Sequence, residues 1–131
     1  MEFYQCDLRL LDHVAAVRDI ALGAVGVVGA TVVGEAFHHF SPQGVSGTVV
    51  IAESHLSVHT WPEARYVAVD IFTCGGLDPR PGLEYLYRQL RAGSCRMQEI
   101  VRGLPDDVEG EVLPSDVLVM SRLGEPVRFA D

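Results

Sequence analysis

Between Ile51 and Gly75 the chain gathers a serine beside a carboxylate (Glu53-Ser54), two histidines (His55 and His59), Asp70 and the thiol of Cys74. Trp61, the single tryptophan, stands in the turn Trp61-Pro62-Glu63 of the same stretch. Most of these groups interrupt runs of Val, Ile and Leu, and polar groups in or beside an apolar core cost free energy unless paired. Hydroxyl, imidazole, carboxylate and thiol are the side chains of nucleophilic and acid–base chemistry. Ser54, His59 and Asp70 would compose a hydrolase triad, but no Gly-x-Ser-x-Gly elbow is present, and strand residues of alternating parity need not converge. His38, His39, His55, His59 and Cys74 invite a metal reading. Read as a strand, the His55-x-x-x-His59 spacing puts both rings on one face about 13 Å apart, too far to share an ion. No metal site is expected.

Composition narrows the chemistry further. All ten basic residues are Arg, so no lysine amine is available to anchor pyridoxal phosphate. A net charge of −8 argues against nucleic acid or an anionic membrane as partner. The longest apolar run, from about Ala21 to Val33, is broken by Gly23, Gly26 and Gly29, and no signal or membrane-spanning segment is visible. A cytoplasmic protein is expected. Cys6, Cys74 and Cys95 are an odd number without metal spacing, which favours reduced thiols.

The elements that must position these groups follow from periodicity. A length of 131 residues suits a single domain. A short strand is expected over residues 1–6. A helix capped by Asp7 should run to about Ala21 or slightly beyond, with the glycines ending it. Strands are expected over 30–40 and 45–53, joined through the turn Ser41-Pro42-Gln43-Gly44. Residues 54–60 continue as a third extended piece. Residues 66–73 alternate, with Val67, Val69 and Ile71 on one face. A second helix carries Leu83, Leu86, Tyr87 and Leu90 and stops at Gly93, and a last strand covers 95–101. Beyond Arg102 the pattern is weak, with one apolar island at Val117–Met120. The expected fold is α+β: a two-layer sandwich, an antiparallel sheet with two helices on one face. The other face then needs cover, and a second subunit is an economical one.

The runs Phe40-Ser41-Pro42-Gln43-Gly44-Val45-Ser46-Gly47, Glu53-Ser54-His55-Leu56-Ser57-Val58-His59-Thr60-Trp61-Pro62-Glu63 and Asp70-Ile71-Phe72-Thr73-Cys74-Gly75 resemble the bacterial S-adenosylmethionine decarboxylase proenzymes. The resemblance is near-continuous from about Glu2 to Gly75, thins towards Gly103, and has no counterpart beyond it. It implies a chain that cuts itself between Glu53 and Ser54 into residues 1–53 and 54–131. The Ser54 hydroxyl attacks the Glu53 carbonyl, converting the amide into an ester. Removal of the Ser54 α-proton then expels the Glu53 carboxylate and leaves dehydroalanine, which hydrolyses to a pyruvoyl group and ammonia.

By the same resemblance His59 is the processing histidine and Ser46 its helper hydroxyl. The pyruvoyl cofactor would form a Schiff base with a substrate amine, and Cys74 would return a proton to the α-carbon after decarboxylation. Phe40 would stack on adenine and Glu63 would hold the ribose hydroxyls. Parity adds one expectation: Ser46 and Ser54, eight apart on one strand, would share a face, whereas Ser54 and His59 would oppose each other unless the chain bulges between them. The implied activity is decarboxylation of S-adenosylmethionine for polyamine synthesis, by a homodimer or larger assembly of processed protomers. Two alternatives stand beside it: the same pyruvoyl chemistry on arginine or ornithine, and an unprocessed, non-catalytic regulatory subunit.

Overall fold

Apolar and polar residues alternate along 45–51, 54–61 and 66–72, giving each stretch one face for a core and one for solvent. The computed structural model describes residues 1–52, 54–100, 102, 117–120 and 126–128. Its strands are β1 (Glu2–Tyr4), β2 (Val32–His39), β3 (Val45–Ile51), β4 (Ser54–Trp61), β5 (Tyr66–Phe72), β6 (Ser94–Gln98), β7 (Val117–Met120) and β8 (Pro126–Arg128). They form one antiparallel sheet in the order β2-β3-β4-β5-β1-β6-β7-β8. The helices are α1 (Leu8–Leu11), α2 (Val14–Val28) and α3 (Arg80–Gln89).

One sheet face and two helices make the core. Phe3, Val45, Val49, Leu56, Val58, Val67 and Val69 are buried against Val17, Ala21, Ala24 and Val25 of α2 and Leu83 and Leu86 of α3. The intervening residues, among them Ser46, Ser57, His59, Ala68 and Asp70, face the other way and are half-buried or exposed. No described element covers that open face. The two-layer α+β architecture expected from the sequence is the one observed.

Four local expectations need correction. The first helix is two: a single turn capped by Asp7, whose carboxylate accepts from the Arg9 amide at 3.1 Å, then α2 after the break at Asp12-His13. α2 also runs through Gly23 and Gly26 to Val28. Gly23 is there because the Tyr85 ring of α3 lies where a Cβ would sit, and only Gly29, at φ 81°, ends the helix. α3 ends before Gly93, because Arg91 already turns the backbone left-handed at φ 51°. β6 stops at Gln98, and Val101 lies outside the described residues. The apolar island Val117–Met120 is a strand on β6, while β8 had no signal in the sequence.

Thr60 ties the layers together where β3 and β4 meet the first helices. Its buried hydroxyl accepts from the Val45 amide at 2.8 Å and donates to the Leu11 carbonyl at 2.7 Å. Thr60→Val keeps the shape and orphans both backbone groups in the core. It should lower unfolding stability by about 2–3 kcal/mol in chemical denaturation.

Candidate active site

Ser46 on β3 and His59 on β4 are direct ladder partners on the open face. The Ser46 Oγ and His59 Nδ1 lie 2.7 Å apart, a hydrogen bond that fixes which imidazole nitrogen is engaged. Both line a shallow depression of about 200 Å³ that also includes His38 and Thr48. Phe40 lies one residue past β2, with its amide donating to the Gly44 carbonyl at 2.8 Å. Its ring is 47% exposed and meets the His38 ring edge-on, 4.7 Å between centroids. Glu63 sits in the 3-10 turn Pro62–Ala64 and accepts from the Gln43 side chain at 2.9 Å. Ser46, His59, Phe40 and Glu63 therefore share one end of the sheet.

The turn that carries Phe40 and Gln43 is pinned by Asp12, a residue the sequence did not single out. One Asp12 carboxylate oxygen accepts from the Gly44 amide at 2.8 Å and meets His39 Nε2 at 2.8 Å. These contacts, the Gly44 amide foremost, hold the Asp12 carboxyl below the usual range. Partners 27 and 32 residues away leave no trace in local pattern.

Ser54 and Cys74 stand at the opposite end. Ser54 opens β4 opposite Ile51, on the helix-facing side with Leu56 and Val58. Its Oγ is buried without a hydrogen-bond partner among the described residues. Glu53 lies outside the described residues. β5 ends alongside the start of β4, His55 pairing with Phe72, and the exposed Cys74 follows two residues later. Cys74 lines a cavity of about 460 Å³ with Asp70, Phe72, Met97 and Arg102. The Arg102 guanidinium lies 5.2 Å from the centre of the Phe72 ring. By contrast the Cys6 thiol is buried in the core, and desolvation pushes it up to about 12. Only Cys74 is a thiol open to a ligand among these residues.

The expected facing of the serines is overturned. The chain reverses after Ile51, so the residue count restarts, and Ser46 and Ser54 lie on opposite faces. No bulge brings Ser54 to His59 either. The β3–β4 register is continuous from Ser46↔His59 to Ile51↔Ser54, which leaves five residues of extended chain, roughly 16 Å, between the two. Within one chain the candidate residues form two half-sites. His55 and His59 do share a face of β4, four residues apart.

These half-sites occur in a chain whose residues 1–103 match the family model described as S-adenosylmethionine decarboxylase. The S-adenosylmethionine decarboxylase proenzyme of Caldanaerobacter subterraneus is 51% identical over 104 residues, 79% of this chain and 84% of the relative. That of Acidithiobacillus ferrooxidans is 48% identical over 106 residues, 80% of each chain. The crystal structure of the adenosylmethionine decarboxylase from Aquifex aeolicus superposes with a TM-score of 0.64 at 33% identity, covering 70% of this chain and 76% of that one.

Proposed function

This chain belongs to the S-adenosylmethionine decarboxylase family, and from that premise we propose that it is a self-processing carboxy-lyase acting on S-adenosylmethionine to supply polyamine synthesis. The observation that carries the processing step is the Ser54 hydroxyl, buried at the first residue of β4 without a partner among the described residues. A hydroxyl in that state has lost its water and gained nothing in return, so it lies high in free energy beside the bond it would attack. The residues present fit a pyruvoyl group formed at position 54, with residues 1–53 and 54–131 as its two products. Such a group supplies a carbonyl that takes up a substrate amine and draws electrons from the α-carbon as carbon dioxide leaves. His59, with Nδ1 held by Ser46, has Nε2 left to take the Ser54 α-proton. Cys74 holds the proton that replaces carbon dioxide. Phe40 offers an exposed face for adenine, and Glu63 a carboxylate for the ribose diol.

The two half-sites argue for a homodimer across the open face. A two-fold partner lying antiparallel would set its Ser46, His59, Phe40 and Glu63 at the end of the first protomer's sheet where Ser54 opens β4 and Cys74 follows β5. Ser54, whose side chain turns to the helix side, would then be approached at the strand end. The open face carries the exposed aromatics Tyr4, Trp61 and Phe72, which suits such cover. No described helix is long and apolar enough to cross a membrane, and we place the dimer in the cytoplasm.

Co-expression of the Ser54→Ala and His59→Ala chains tests the site. Neither variant should mature alone. Random pairing should restore cleavage in the His59→Ala chain and about a quarter of the wild-type carbon dioxide release from S-adenosylmethionine. No rescue in a verified hybrid would overturn the shared site. Release from arginine or ornithine, but not from S-adenosylmethionine, would overturn the substrate.

A further inference from the structure

On the open face His59 has four nearest neighbours, and three of them are small. Across the ladder it pairs with Ser46 on β3 and Ala68 on β5, and along β4 it lies between Ser57 and Trp61. Only Trp61 offers a broad flat surface. Its ring centroid is 6.2 Å from that of His59, with the planes tilted by 47°. Trp61 is held in turn by Tyr66, its ladder partner, at 5.3 Å, and Tyr66 packs on Tyr4 at 5.3 Å. The Tyr66 hydroxyl donates to the Glu2 carboxylate at 3.1 Å, and burial followed by Glu2 pushes the phenol up to about 12. A row of rings thus crosses β1, β5 and β4, is anchored at Glu2, and ends on the imidazole.

We propose that Trp61 is a positioning residue that holds the His59 ring against Ser46. The second torsion of a histidine is broad, and small neighbours leave it broad. A fixed indole on one side and a hydroxyl on the other select a single ring orientation. With Nδ1 on Ser46, the other nitrogen is then kept pointing out of the pair, towards the proton it takes. The proposal rests on His59 being the base that removes the Ser54 α-proton. It gives the chain's only tryptophan, which at 42% exposure stands outside the core, a task at the site.

Two measurements test it, one of them independent of catalysis. In the uncut Ser54→Ala chain, the His59 ring-proton resonances, identified by their loss in His59→Asn, should be displaced by the indole ring current. Trp61→Leu should abolish the displacement, and Trp61→Phe should keep part of it. In the cleavable chain, Trp61→Leu should slow proton removal about three- to ten-fold while ester formation is unchanged. The ester then accumulates, readable as hydroxylamine-sensitive scission, and Trp61→Phe should restore most of the rate. Undisplaced His59 resonances in the Ser54→Ala chain overturn the proposal. So does equal behaviour of the Leu and Phe variants. A rate loss that tracks dimer dissociation and vanishes at high protein concentration would make Trp61 an interface residue instead. If the unsubstituted chain never cleaves, the reading of His59 as a base fails, and the resonances alone decide whether Trp61 orders its ring.

Discussion

Ser54→Ala yields a chain of full length with no decarboxylase activity. Without the hydroxyl there is no acyl shift, so the bond to residue 53 stays an amide and no carbonyl forms at position 54. Carbon dioxide release should fall by at least about a thousand-fold, to the assay floor, because the chain has no lysine through which another carbonyl cofactor could be anchored. The fold should survive. The Ser54 Oγ makes no hydrogen bond among the described residues, so its removal orphans none of them and relieves a desolvated polar atom. Intact mass reads the first outcome and denaturant unfolding the second. A cut Ser54→Ala chain would remove Ser54 as the attacking group. An uncooperative, unfolded variant would show that the hydroxyl is structural.

Cys74→Ala separates maturation from turnover. Cys74 follows β5 at the edge of its cavity and is exposed, whereas the groups assigned to processing are Ser54, His59 and Ser46. The variant should therefore cleave at the wild-type rate, seen as two fragments on a denaturing gel. Turnover of S-adenosylmethionine should drop by roughly 10²–10⁴-fold, the range for loss of a positioned proton donor. Substrate should still bind, so the loss should appear in kcat rather than KM. Normal turnover would take Cys74 out of the reaction. Failed cleavage would move it into the processing step.

Much of this arrangement can be read directly from residue pattern. Val67, Val69 and Ile71 alternate with Ala68, Asp70 and Phe72, and β5 turns those two sets to opposite faces. Gly44 after Ser41-Pro42-Gln43 takes the positive φ, 103°, that its turn chemistry implies. What failed was anything that depends on a residue far away in sequence. Gly23 resembles a helix terminator until Tyr85 of α3 is seen packed on it. Asp12 resembles a loop carboxylate until the Gly44 amide and His39 arrive. The reversal after Ile51 is the instructive case. Val45–Ile51 and Ser54–Trp61 both read as strand, and parity counted across the gap gives Ser46 and Ser54 the wrong relation. The family motif picks out these residues without saying that they stand at two ends of a sheet.

The position of β1 in the sheet sets the fate of the mature protein. β1 belongs to the segment before residue 53, yet it is hydrogen-bonded between β5 and β6, both from the segment after Ser54. The proposed scission at 53–54 would thus leave two polypeptides woven through one sheet, rather than two halves that abut. Neither can leave without unzipping a central strand on both sides, so the pieces should stay associated at any dilution that keeps the fold. Once unfolded, they must find each other again, and a folding reaction that was unimolecular becomes bimolecular. Such a cut would convert a chain that can refold into an assembly that folds once, made durable by the height of its unfolding barrier.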